Sequence, residues 1–420
     1  MKDFLIMTRT IKTAALLLVL LTATHSANAQ SGATRPRRVN PAPAPTPAAT
    51  RAVSDTGATT GTTTPRRTTT PARTAPAATQ RAASAGTARA FELFQQKQFE
   101  AAVREAKLVT ANDPANSEAW KIAGFAEMEL KRYAEAAADL QRALELQRAA
   151  GEEDANTSDA LATAYVRTEK FAEALPLLVA ATTRAGAKPD ALTYYYRGLA
   201  EYRTNRRAEA EVSFNAAVKA DPKNSASLFY LGRMAFERKD DAAAIQFLNR
   251  ATTADPRLAE GWTLLTYSYL RRADAAGGEG PKADADYLSA IRASESLVRL
   301  RPDEAATALH GQALIRAKQY ARAATALERV AASPEVKGET LYLLGFAYTQ
   351  AKNSPKAVAA LERAAAKTPQ DVNIYRILGY NFEVLKQYAK ALAAYEKGLT
   401  FAPEDAELKQ SAERIRPFAQ

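Results

Sequence analysis

The side chains best suited to chemistry are scarce in these 420 residues: there is no cysteine, and histidine occurs only at His25 and His310. Thiolate metal sites, cysteine nucleophiles, disulfides and cysteine lipidation are therefore excluded. His25 falls in an N-terminal export leader, which leaves His310, beside Gly311 on an expected helix, to serve packing or surface rather than catalysis. Zinc sites and nucleophile-histidine pairs then lack material. The run Gly277-Gly-Glu-Gly-Pro281-Lys282 looks like a phosphate loop, but no Gly-Lys-Ser/Thr closes it and no strand precedes it. Asp274, Glu279, Asp284 and Asp286 do not follow the spacing of a calcium-binding loop. No catalytic, cofactor-binding or metal-ligating set emerges, so the chain reads as non-enzymatic. An enzyme site hidden among the helices or in the Gly277 segment stays open as an alternative.

Two segments precede the regular part. In residues 1–29, Lys2, Arg9 and Lys12 come before an apolar run from Ala14 to Leu21 and then Ala27-Asn-Ala29, the pattern of a cleavable secretory signal. The run is shorter than a membrane span. The expected location is periplasmic or extracellular, with no transmembrane span once the signal is removed. Residues 30–86 are rich in Pro, Thr, Ala and Arg, contain no aromatic residue and cannot bury enough apolar surface to order themselves, so a disordered, semi-stiff tether is expected.

Net charge is unevenly distributed. Of the total of +11, residues 1–29 carry +2 and residues 30–86 carry +7, so the remainder is nearly balanced at +2. The basic character thus belongs to the tether. Arg35, Arg37, Arg38, Arg66 and Arg67 suit contact with an anionic envelope polymer or membrane surface, whereas nucleic acid is disfavoured because no aromatic residues interleave to stack bases.

The elements that carry everything else repeat. Gly198 and Gly232, Ala210 and Ala244, Pro222 and Pro256, Gly345 and Gly379, and Pro369 and Pro403 are each 34 residues apart. A period of this length denotes stacked helix-turn-helix units. In one unit Leu228, Leu231, Gly232 and Ala235 line a first helix, Ala244, Leu248 and Ala251 line a second, and Pro256 closes it. The pattern returns around Trp120 and Gly124, around Leu341 and Gly345, and around Tyr375 and Gly379. With these residues the chain resembles the tetratricopeptide repeat family. The resemblance implies an all-α fold: a right-handed solenoid of about nine units over residues 87–404, closed by a capping helix in 405–420 with Leu408, Ala412 and Ile415 as its apolar stripe. Some units depart from the pattern. Arg89 and Ala90 replace the usual large apolar residue and glycine, which predicts a frayed first unit. Glycine-containing joints at 151–154 and 186–189 predict longer loops, and about a dozen extra residues at 272–285 predict a flexible insertion.

The resemblance also implies that first helices line a concave face that binds a polypeptide, so the chain is expected to be an interaction scaffold in envelope assembly or secretion. A second face of each first helix supplies the groove candidates Phe125, Tyr195, Tyr202, Arg203, Phe229, Arg233, Phe236, Tyr267, Arg271, Tyr342, Phe346 and Tyr380. Aromatic residues and arginine are what binding surfaces concentrate, but the same rings could instead pack between helices, and both readings stand at this point. Carboxylate clamping of the kind found in chaperone-binding members is disfavoured, since Lys121 has Phe125 one turn on where asparagine would be expected.

Overall fold

The computed structural model describes residues 77–419. The expected signal and most of the tether, with Arg35, Arg37, Arg38, Arg66 and Arg67, lie outside the described residues. Nine helix pairs follow in chain order. The first helices are α1 (Ala77–Gln95), α3 (Ser117–Glu129), α5 (Ala155–Arg167), α7 (Ala191–Arg203), α9 (Ser225–Glu237), α11 (Ala259–Ala275), α13 (Glu304–Arg316), α15 (Gly338–Gln350) and α17 (Val372–Val384). Their second helices are α2 (Phe99–Asn112), α4 (Tyr133–Ala150), α6 (Phe171–Thr183), α8 (Arg207–Ala220), α10 (Asp241–Ala254), α12 (Pro281–Leu300), α14 (Tyr320–Ala331), α16 (Ser354–Lys367) and α18 (Tyr388–Phe401). A last helix, α19 (Ala406–Ile415), covers the stack with Leu408, Ala412 and Ile415 buried.

Local chemistry explains where the helices begin and end. The side chains of Asn224, Asp371 and Asp405 accept hydrogen bonds from the free amides of Ser227, Asn373 and Leu408, which caps α9, α17 and α19. In the first turn of three first helices, an aromatic side chain donates to the carbonyl of the proline that closed the previous unit: Trp120 Nε1 to Pro114 at 3.0 Å, Trp262 Nε1 to Pro256 at 2.9 Å, and Tyr375 Oη to Pro369 at 2.8 Å. At the other end, one non-glycine residue with positive φ makes the turn into the second helix in eight of the units: Lys97, Lys131, Glu169, Asn205, Lys239, Lys318, Lys352 and Lys386. After Lys239, the Asp240 amide reaches back to the carbonyl of Ala235 at 2.9 Å, the closing bond of a left-handed C-terminal cap.

Helices of 13 or 14 residues are marginal alone, so packing must order them. Within a pair the approach is close. A Cβ built on Gly232 would lie 2.6 Å from Leu248 Cγ, and Leu248 itself is fully buried. Each second helix then packs on the next first helix, and successive first helices also touch, whereas second helices do not approach one another as closely. The stack is therefore an α-solenoid whose first helices occupy its inner side.

Three regions differ from the sequence expectation. Helix α1 begins at Ala77, within the segment 30–86, and Gly86 lies directly against Val109 of α2. The first unit is packed, with Ala90 buried among Ala106, Ile122 and Ala123. The extra residues near 272–285 are not a flexible loop either. They lengthen α11 to 17 residues and α12 to 20, leaving a short glycine turn in which Gly277, Gly278 and Gly280 have positive φ. Ionic contacts hold the extension in place: Arg272 to Asp286, and Arg316 from the next unit to Asp274 at 3.0 Å. Of the two stretched joints, the one at Gly186 is a loop, while the one at Gly151 follows a second helix grown to 18 residues.

Candidate functional site

The twelve groove candidates do not form one kind of surface. Phe125, Tyr202, Phe229 and Phe346 are 5 to 7% exposed. They are a correction to the groove: first helices touch along this line, and each ring is consumed in the joint between neighbouring units. Tyr202 shows how. Its ring packs at 5.2 Å from that of Tyr230, its hydroxyl donates to Glu237 Oε1 at 2.7 Å on the next first helix, and the Arg207 guanidinium lies 3.7 Å from its ring centre. Burial, then the bond to Glu237, pushes its phenol up to about 12.

Several arginines are likewise engaged between units, because the last turn of a first helix meets the start of the preceding second helix. Arg167 lies over Tyr133 at 4.8 Å and Arg203 over Phe171 at 5.4 Å. In the next step the charges are exchanged, with Arg207 facing Glu237 at 3.5 Å. Then Arg271 binds Asp241 at 2.6 Å, covers the Phe236 ring at 4.2 Å and donates to the Phe236 carbonyl at 3.0 Å. Arg271 is thus a joint residue, whereas Arg203 keeps an exposed side and Arg233, held by Glu237 at 3.1 Å, is half-buried.

What stays accessible on the inner side is a discontinuous tyrosine line. Tyr195, Tyr267 and Tyr342 are partly buried and Tyr380 is exposed, with Phe236 partly buried among them. Tyr195 rests on an aromatic cluster with Tyr196, Phe214 and Tyr230, whose ring stacks on Phe214 at 5.0 Å. Burial raises the phenols of Tyr195, Tyr267 and Tyr342 above the usual tyrosine range; for Tyr342 the Asp371 carboxylate adds to the effect. These rings are neutral at physiological pH and can pack apolar groups while offering a hydroxyl.

Two polar features escaped the sequence reading. Glu127 of α3 and Asp139 of α4 meet inside the second unit, with Lys107 of α2 bonded to Asp139 and 4.0 Å from Glu127. Burial and the Asp139 charge raise Glu127 to about 8. At the corresponding place farther on, Glu201 accepts from Arg197 at 2.8 Å and from Ser213 at 2.5 Å. The other is the setting of His310, whose hydrogen-bond partner on the preceding second helix the sequence did not show. Its Nδ1 is 2.9 Å from Ser294 Oγ, and burial, aided by Arg322 and Arg329, lowers its pKa. Among the described residues no group of three or more acidic, histidine or cysteine side chains could hold a metal ion, and no helix is long and apolar enough to cross a membrane.

Paired helices, stacked through their first helices around small residues, define a helical-repeat protein. Residues 87–153, 160–224 and 195–259 match one tetratricopeptide repeat model and 314–379 a second, together more than half of the sequence. The chain belongs to the tetratricopeptide repeat family. Solved structures similar to it include YrrB, described as a TPR protein with an unusual peptide-binding site, at 14% identity over 48% of this chain and 97% of that one, TM-score 0.40. MamA from Desulfovibrio magneticus RS-1 is 20% identical over 44% and 98%, TM-score 0.37. A tetratricopeptide repeat protein from Parabacteroides merdae is 15% identical over 63% and 98%, TM-score 0.38. No curated protein sequence matches the chain significantly.

Proposed function

We propose that the chain is a non-catalytic scaffold that binds an extended polypeptide along its inner side, with Tyr195, Tyr267, Tyr342 and Tyr380 as principal contacts. Tetratricopeptide repeat proteins generally mediate protein–protein interaction, and the accessible tyrosine line carries the more specific reading. Tyrosine offers a large, rigid contact area with a polar tip, the combination that dominates binding hot spots. Arg203 and Arg233 flank the line and favour an acidic or polar backbone course for the partner. The leader pattern in residues 1–29 supports work outside the cytoplasm, in envelope assembly or secretion.

The test is partner capture by the full chain and by a Tyr267→Ala, Tyr342→Ala double variant. Loss of capture with an unchanged unfolding transition supports the groove; undiminished capture overturns it. A second reading rests on the charge concentrated in residues 30–86, which would hold the protein to an anionic envelope polymer or membrane surface through Arg35, Arg37, Arg38, Arg66 and Arg67. Deleting 30–76 separates the two, because it removes envelope association under this reading and leaves partner capture intact under the first.

A further inference from the structure

The outer side of the stack carries a site of a different kind. A cavity of about 510 Å³ lies between the second helices α12 and α14 over the first helix α13. His310 stands where Leu231, Leu344 and Leu378 precede the glycines of their units, so the imidazole makes one wall of the cavity polar.

The lining is mostly apolar, with Val298, Leu314, Ala321 and Ala326 forming its floor. Its charges are Arg299, Arg322, Arg329 and Glu295. Arg322 neutralises Glu295 at 3.0 Å and Arg299 donates to Ser296 Oγ at 2.9 Å, while Arg329 has no hydrogen bond or ion pair with any described residue. Two positive charges are therefore uncompensated at the edge of an apolar pocket. Behind the lining, the buried Ser294 Oγ lies within bonding distance of the Ala290 carbonyl at 2.8 Å and of His310 Nδ1 at 2.9 Å. Nδ1 is thereby engaged, and Nε2 is the ring nitrogen left for an occupant. The basic segment 30–76 is excluded as occupant by its own charge.

We propose that this cavity binds an amphipathic carboxylate, a medium-length aliphatic or aromatic body seated on Leu314 and Ala326 with its carboxylate held by Arg329 and Arg299. The size is that of small-molecule pockets, and guanidinium groups bind carboxylates through paired, charge-assisted hydrogen bonds. The site is separate from the tyrosine line and does not depend on it.

Octanoate is the probe, titrated into the full chain and followed by the imidazole C–H resonances of His310, told apart from those of His25 with a His310→Gln variant. Saturable shifts are expected with octanoate, and at least about tenfold weaker binding with octanol, which lacks the charge, and with butyrate, which lacks the apolar body. Arg329→Gln, an exposed substitution, is expected to weaken octanoate about tenfold, and Ala326→Phe to abolish binding by filling the cavity, with thermal unfolding confirming that each variant is folded. The proposal is overturned if wild-type protein shows no saturable shift, if octanol binds as tightly as octanoate, or if folded Arg329→Gln binds undiminished.

Discussion

Glu127 and Asp139 turn their carboxyl groups toward one another inside the second helix pair, and Glu127 Oε2 and Asp139 Oδ2 are each buried without a hydrogen-bond partner. Two adjacent carboxylates with one lysine nearby cannot both ionise at low cost. Glu127 therefore holds its proton in the folded state up to about pH 8, far above its ordinary value of 4.5. The folded state binds more protons than the unfolded one between these values, so stability falls as pH rises through the window, by at most about 1.4 kcal/mol per pH unit. Glu127→Gln keeps a donor toward Asp139 and removes the titration. Denaturant unfolding between pH 5 and 9 should show a flattened profile in the variant and higher stability at pH 8, while parallel profiles would rule out this origin.

The left-handed turn residues form a second ladder. Lys239 has φ +63°, a conformation that costs a β-branched side chain about 1 to 3 kcal/mol. Lys239→Val should lower unfolding stability by that amount and Lys239→Gly should not. Equal losses in both would mean that the lysine side chain, and not the backbone, stabilises the turn.

Arg271 and Asp241 face each other at 2.6 Å with side chains only 18% and 12% exposed. Arg271→Ala should destabilise the stack by about 2 kcal/mol, since it leaves a largely buried carboxylate unpaired. A double-mutant cycle with Asp241→Asn should return a coupling of about 1 kcal/mol or more. No coupling would release Arg271 from the joint and return it to the binding face.

Phe229 and Tyr342 separate core from groove. Phe229→Ala should cost about 3 kcal/mol or more, as removal of a buried ring does, whereas Tyr342→Ala should cost less and act on partner capture. The reverse order in thermal unfolding would exchange their roles.

Much of the fold was legible because its markers are repeated: the 34-residue period, with its recurring glycines, alanines and closing prolines, carries into the helix pairs of the structure. The site was less legible. Phe229 and Tyr342 share a place on their helices, each three residues before the glycine at Gly232 or Gly345, yet one is buried and the other accessible. Their exposure is decided by neighbours in the adjacent unit, which a helical wheel of one unit does not contain. Lys239 and its counterparts were not picked out from the sequence, because lysine gives no compositional sign of positive φ. The segment at 272–285 misled because its glycines suggest a loop, while the flanking Arg272, Asp274, Asp286 and Tyr287 bond across the pair and extend both helices.

The central claim, that a polypeptide runs along the first helices, is tested most directly by site-specific photocrosslinking of the full chain. Crosslinkers placed at Tyr267, Tyr342 and Tyr380 should capture one and the same partner segment, in chain order, while a crosslinker at Val212, 68% exposed on the second helix α8, should not. Capture from Val212 in preference to the tyrosine positions would contradict the account.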